Sequence, residues 1–240
     1  MSEEKKIVSG NDLEEDGELT LFEGQPFSGI CCNYSKNGKK DHETYYRDGK
    51  REGPDIEWYI KGQKSHGYYK DGKEDGVWTT WYKDGEKQSR KFYKNGKLNG
   101  NQTEWYEDGQ KKYKRHYKDG KEDGLWTGWH KSGKKRSERN WKEDGVSTCW
   151  YENRQKKSEV HCKDGKEHGL WISWYENGKK EREGNLKDGE FDGLWTEWNE
   201  SGKKKVEKHY KDGKENGLWT EWDEDGKKTF QGNFVNGNEQ

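Results

Sequence analysis

The chain has 240 residues, of which 25% are hydrophobic and 40% charged, and its net charge is −1. That composition excludes a thick apolar core, and the balanced charge excludes a global field drawing the chain to nucleic acid or to an acidic membrane. Disorder is opposed by 14 Trp, 14 Tyr and 32 Gly against 2 Pro, because each buried large aromatic removes roughly 150–250 Å² from water.

In chain order, Met1 to Gly10 carries Glu3, Glu4, Lys5 and Lys6 and no long apolar run. Neither a signal peptide nor a membrane span is expected, and the predicted location is cytoplasmic. Residues 1–24 break the pattern that follows. Ile7, Val8, Leu13, Leu19, Leu21 and Phe22 within them predict an irregular N-terminal cap, with the repeat array over 25–240. Cys31, Cys32, Cys149 and Cys162 show no metal spacing and are expected to be reduced.

From there the chain repeats itself. Tyr117-Lys118-Asp119-Gly120-Lys121-Glu122-Asp123-Gly124-Leu125-Trp126-Thr127-Gly128-Trp129 returns at Tyr210 to Trp222 with few changes. The second glycine of this pattern falls at Gly53, Gly76, Gly100, Gly124, Gly145, Gly169, Gly193 and Gly217, in steps of 23, 24, 24, 21, 24, 24 and 24. A second series, Asn37-Gly38, Asp84-Gly85, Asp108-Gly109, Ser132-Gly133, Asn177-Gly178, Ser201-Gly202 and Asp225-Gly226, lies between them. Its Asn-Gly and Asp-Gly members predict type I′ hairpin turns, because both central residues tolerate positive φ. Each repeat therefore holds two strands and two turns, and glycine at this density excludes helix. The strands differ by two residues, so a bulge is expected at the second glycine, for example Gly100. Whether the two Trp of a repeat, three residues apart, share a face depends on that bulge. The expectation is an all-β, elongated, single-layer antiparallel meander: a solenoid-like row of about nine β-hairpins, on the order of 80–90 Å long.

Three aromatic columns follow. One is complete: Trp58, Trp81, Trp105, Trp129, Trp150, Trp174, Trp198 and Trp222. It is expected in the core. The second precedes the Asp-Gly turn: Tyr46, Tyr69, Tyr93, Tyr117, Trp141, Leu186, Tyr210 and Phe234, with Cys162 as the exception. The third is interrupted: Trp78, Trp126, Trp171, Trp195 and Trp219, with Asp55, Gln102 and Ser147 elsewhere. A position that accepts Asp is expected to be partly exposed. The hairpin near 134–162 is irregular, lacking three residues around Asn140-Trp141-Lys142 and carrying Asn153-Arg154 in place of a glycine turn.

The repeats resemble MORN repeats, whose pattern reads roughly Y-x-G-x-[WF]-x-x-G-K-x-H-G-x-G. Phe230-Gln231-Gly232-Asn233-Phe234-Val235-Asn236-Gly237 and Glu183-Gly184-Asn185-Leu186-Lys187-Asp188-Gly189 match its opening, and Lys163-Asp164-Gly165-Lys166-Glu167-His168-Gly169 matches its centre. Trp replaces the second Gly of G-x-G, as in Gly169-Leu170-Trp171, which is similar to bacterial MORN-variant proteins including YwqK-type antitoxins. The likeness spans 29–237. It implies a single-layer sheet and protein binding, with the antitoxin or immunity role implying a toxin enzyme neutralised by direct contact.

No catalytic residue, cofactor or metal site is expected, and the chain is not expected to be an enzyme. Its seven His form no spaced ligand set, and D-G-K-E-D-G lacks the spacing of a calcium loop. The expected partner is another protein. The expected contact residues are Trp78, Trp126, Trp171, Trp195 and Trp219 with Tyr82, Tyr106, Tyr151 and Tyr175, since Trp and Tyr anchor interfaces. Single-stranded nucleic acid is an alternative, on a stripe of aromatics and of lysines such as Lys111-Lys112, Lys134-Lys135, Lys156-Lys157, Lys179-Lys180 and Lys203-Lys204-Lys205. Cross-strand pairing of these lysines with Glu104, Glu107 and similar acids is the simpler reading. A scaffold self-associating through its C-terminal edge strand is a further alternative, with Lys227 and Lys228 blunting that edge.

Overall fold

A computed structural model of the chain describes residues 6–140 and 144–240. Trp141, placed in the second aromatic column above, lies outside them. The chain divides into two compact units, Met1–Glu122 and Asp123–Gln240.

The strands of the first unit are β1 (Ile7–Ser9), β2 (Leu13–Asp16), β3 (Leu19–Phe22), β4 (Gln25–Pro26), β5 (Gly29–Tyr34), β6 (Lys40–Arg47), β7 (Lys50–Trp58), β8 (Gln63–Lys70), β9 (Lys73–Glu74), β10 (Gly76–Trp81), β11 (Lys87–Lys94), β12 (Lys97–Leu98), β13 (Gly100–Trp105), β14 (Lys111–Lys118) and β15 (Lys121–Glu122). From β5 onward the chain is an antiparallel meander. β1 runs parallel to β5, Val8 opposite Cys31, and β2–β4 form a small sheet of their own. Val8, Phe27 and Cys31 make a buried cluster against which Leu13, Phe22 and Tyr46 pack.

The second unit is itself an antiparallel meander of β16 (Leu125–Trp129), β17 (Lys135–Asn140), β18 (Gly145–Trp150), β19 (Lys156–Lys163), β20 (Lys166–Trp174), β21 (Lys180–Lys187), β22 (Glu190–Phe191), β23 (Gly193–Trp198), β24 (Lys204–Lys211), β25 (Lys214–Glu215), β26 (Gly217–Trp222), β27 (Lys228–Val235) and β28 (Asn238–Glu239). Its buried cluster is Val160, Cys162 and Leu186, with Trp171 packed against it.

The turns exchange the types expected of them. Asp71-Gly72, Asn95-Gly96, Asp119-Gly120, Asp164-Gly165 and Asp212-Gly213 have positive φ at both residues, and these pairs form the two-residue type I′ turns. In the Asp84-Gly85 series only the glycine is left-handed. There the loop is longer: Gly85 N–H donates to Tyr82 O and Tyr82 N–H to Glu86 O, while the Asp84 carboxylate accepts from Glu86 N–H. The side-chain acceptor makes the wider loop self-sufficient without a second left-handed residue.

Two irregularities set the faces. Between Tyr93↔Leu98 and Arg90↔Thr103 the first strand spends two more residues than its partner, around Asn99 and Gly100, as expected. The other lies on the second strand of each hairpin, where Thr80 opposes Ser89 but Trp81 opposes Lys87, leaving Gln88 as the bulged residue. The strand carrying the two Trp is thus unbroken between them, and Trp78 and Trp81 point to opposite faces.

One face is the packed one. It carries the interrupted Trp column, the Tyr column and a row of small or polar residues. Leu186, Cys162, Phe234, Trp195, Ser65, Ser89 and Ser173 are all buried on it. The complete Trp column, expected in the core, is half-buried on the opposite face throughout. Trp78 and Trp195 of the interrupted column fit on the packed face because glycines of the neighbouring strand make room for their indoles. A Cβ on Gly67 would lie 2.1 Å from the Trp78 ring, and one on Gly184 2.4 Å from Trp195. Asp55 and Gln102, in the same column, are only 5% and 6% exposed. The position accepts Asp through hydrogen bonding rather than exposure: Thr44 Oγ1 donates to the carboxylate at 2.7 Å and His42 Nε2 lies 3.1 Å from it.

Candidate partner-binding surface

The face opposite the packed one presents three parallel rows. The row nearest the type I′ turns holds, in the second unit, Leu125, Val146, Leu170, Leu194 and Leu218, which are 52%, 42%, 39%, 43% and 45% exposed. Each stands across from Asn140, His161, Asn185, His209 or Asn233. With strands about 4.8 Å apart, an apolar side chain recurs about every 10 Å over roughly 40 Å. Solvent-exposed apolar residues in register, rimmed by polar ones, have the layout of a protein contact surface.

The middle row alternates hydroxyl or Ile positions with acids: Thr127, Glu138, Thr148, Glu159, Ile172, Glu183, Thr196, Glu207 and Thr220. The third row is the complete Trp column, each Trp paired with the first residue of the following strand. The bulge brings residues three apart onto one face, so Lys135, Lys156, Lys180 and Lys204 bind Glu138, Glu159, Glu183 and Glu207 on their own strands. Anchored in this way, Lys135, Lys156 and Lys180 extend over the next Trp ring, at 5.5 Å from Trp150, 5.8 Å from Trp174 and 5.6 Å from Trp198. The pairing expected across strands is therefore within a strand, because the extra residue restores the parity.

The residues expected to bind a partner are distributed differently. Trp195 is 8% exposed; Trp78, Trp126, Trp171 and Trp219 are half-buried on the packed face. Trp78 sits edge-on to Tyr69 and Tyr93, Trp171 stacks on Trp195, and Lys208 lies 3.5 Å over Trp219. Tyr82, Tyr151 and Tyr175 donate their hydroxyls to the backbone carbonyls of Trp105, Trp174 and Trp198 in the next repeat, at 2.8, 2.9 and 2.7 Å. Tyr106 occupies the same position in its repeat and is half-buried. Tyr82, Tyr151 and Tyr175 thus stitch one hairpin tip to the next. The leucine row is not legible in the sequence, because Gly-Leu-Trp reads as three turn and core residues and only the register shows that the leucine faces away.

All four cysteines are free thiols, and burial pushes those of Cys31 and Cys162 up from the ordinary thiol value. Among the described residues no cluster of His, Cys, Asp and Glu could hold a metal ion, and no helix is long and apolar enough to cross a membrane.

Repeated β-hairpins with three aromatic columns and a patterned open face define a repeat module. The MORN repeat variant model matches residues 74–95, 98–119, 122–143, 167–188, 191–212 and 215–236, more than half of the chain, and the chain belongs to that family. MORN repeats are associated with protein or membrane binding. No curated protein matches the chain.

Proposed function

We infer that the chain is a protein-binding module whose second unit receives its partner along the leucine row. The supporting observation is the exposure of Leu125, Val146, Leu170, Leu194 and Leu218 in one register on the unpacked face. Trp126, Trp171, Trp195 and Trp219 of the interrupted column, with Tyr151 and Tyr175, keep that face rigid from behind, as Trp78, Tyr82 and Tyr106 do in the first unit. Rigidity lowers the entropy cost of association. The resemblance to YwqK-type antitoxins supports an immunity role, in which the partner is a toxin enzyme blocked by contact.

A photo-crosslinking amino acid at position 194, on the leucine face, tests this against the same group at position 195, on the packed face. In the cells that make the protein, position 194 is expected to capture one discrete protein and position 195 none. Capture from 195 alone, or of nothing discrete from 194, rejects the surface. A captured protein without enzymatic or toxic activity rejects the immunity role and leaves the surface standing.

A further inference from the structure

The middle row of the open face reverses its charge in the first unit. The register runs Glu43, Ile56, His66, Thr79, Arg90, Thr103, Lys114. His66, Arg90 and Lys114 thus stand where the second unit has Glu138, Glu159, Glu183 and Glu207. The strands that carry them, β8, β11 and β14, contain no Asp or Glu at all. Pairing with a glutamate of the same strand, which occupies the lysines of the second unit, is therefore absent from these strands; Lys64 and Arg115 pair across strands with Glu57 and Glu104, and neither lies in the middle row. Arg90 and Lys114 are exposed, and among the described residues neither forms an ion pair; the same holds for Lys87 and Lys111.

The loss of the glutamates also uncovers rings. Where Lys40 binds Glu43 it reaches over Trp58, at 6.0 Å, as its counterparts do in the second unit. Lys87 has Arg90 in place of that anchor, and Gln63 replaces the lysine that would cover Trp81. Among the described residues no cation lies over the ring of Trp81 or Trp105. Between these two rings is a cleft of about 350 Å³, lined also by Gly85, Glu86, Lys87 and Gly109. Glu86 is the one carboxylate on its wall.

We propose that this face of the first unit binds single-stranded nucleic acid, with phosphates on Lys87, Arg90 and Lys114 and bases against Trp81 and Trp105. Cations recur about every 10 Å along the row, since they occupy alternate strands. Uncovered indoles beside them supply stacking that accepts any base. An acidic peptide would use the cations and have no use for the ring cleft.

The test is a titration of the full chain against a fluorescein-labelled single strand of about 15 nucleotides at about 50 and about 200 mM salt. Binding is expected with quenching of tryptophan fluorescence. The salt slope should be about −2, because each neutralised phosphate of a single strand contributes roughly −0.7 and three cations are engaged. Arg90→Glu with Lys114→Glu restores the lysine–glutamate pattern of the other repeats and should weaken binding roughly tenfold or more. Arg90→Gln with Lys114→Gln is the second variant, tolerated because Gln231 already occupies this row opposite Thr220, and it should weaken binding in the same direction. Binding unaltered by both variants overturns the proposal, as does no binding at the lower salt. Equal affinity for a polyglutamate peptide or for anionic phospholipid vesicles overturns it in favour of an acidic protein or a membrane surface.

Discussion

Trp171 and Trp195 stack with ring centroids 5.2 Å apart and planes inclined by 21°, joining two consecutive repeats of the second unit through their packed face. Trp195 also meets Phe191 at 4.5 Å and donates its indole N–H to Glu197. Because each repeat contacts only its neighbours, such joints carry much of the stability. Trp195→Ala is expected to cost about 3–5 kcal/mol, as for other buried large aromatics. Urea unfolding monitored by circular dichroism should show a lower midpoint for the second unit.

Gly184 lies beneath that indole with extended backbone, so a side chain there is a packing problem and not a conformational one. Gly184→Ala is expected to destabilise by about 1–3 kcal/mol through overpacking. Combined with Trp195→Ala it should cost much less than the sum, since the ring that is struck has gone. A double-mutant cycle in urea measures the coupling; strict additivity would place the clash elsewhere.

Tyr175 donates to Trp198 O at 2.7 Å and so ties two adjacent hairpin tips. Tyr175→Phe keeps the ring and removes the bond. A loss of about 0.5–1.5 kcal/mol is expected, read as a shift in urea midpoint with partner capture unchanged.

In the first unit, His42 and Asp55 couple stability to pH. The hydrogen bond to Asp55 holds His42 above the ordinary imidazole value of 6.5. Burial works against the Asp55 carboxylate, but hydrogen bonds from His42 and Thr44 outweigh it and hold the group below 3.8. The histidine contribution is present below 6.5 and lost as pH rises through its higher folded value. The aspartate contribution is present above 3.8 and lost as pH falls through its lower folded value. The urea midpoint should therefore fall between about pH 5.5 and about pH 8.5, and Asp55→Asn should flatten that fall.

Much of the architecture is legible in the residues themselves. Eight glycines in steps of 21 to 24 declare the repeat, and the Asn-Gly and Asp-Gly pairs declare the hairpins. The faces are not legible. Two Trp three apart change sides according to which strand holds the bulge, and Gln88, Lys112 and Glu181, which occupy it, have nothing in common. Asp55 misleads for a related reason: its partners His42 and Thr44 are near only once the strands are in register. The turn types exchange because Asp-Gly serves either loop, and the loop length depends on the register beyond it. The reversal from Glu183 to Arg90 is plain once the rows are aligned, but only the bulge parity reveals that each cation lies beside an uncovered ring.

The proposed division of labour between the two faces is tested by neighbouring residues in one strand. Leu170→Asp with Leu194→Asp alters only the open face; Trp195→Ala alters only the packed one. Melting temperature and partner capture are measured together for both variants. The leucine variant is expected to melt as the unaltered chain does and to capture no partner, while the tryptophan variant melts lower. A leucine variant that melts lower, or that still captures its partner at full yield, would contradict that division of labour.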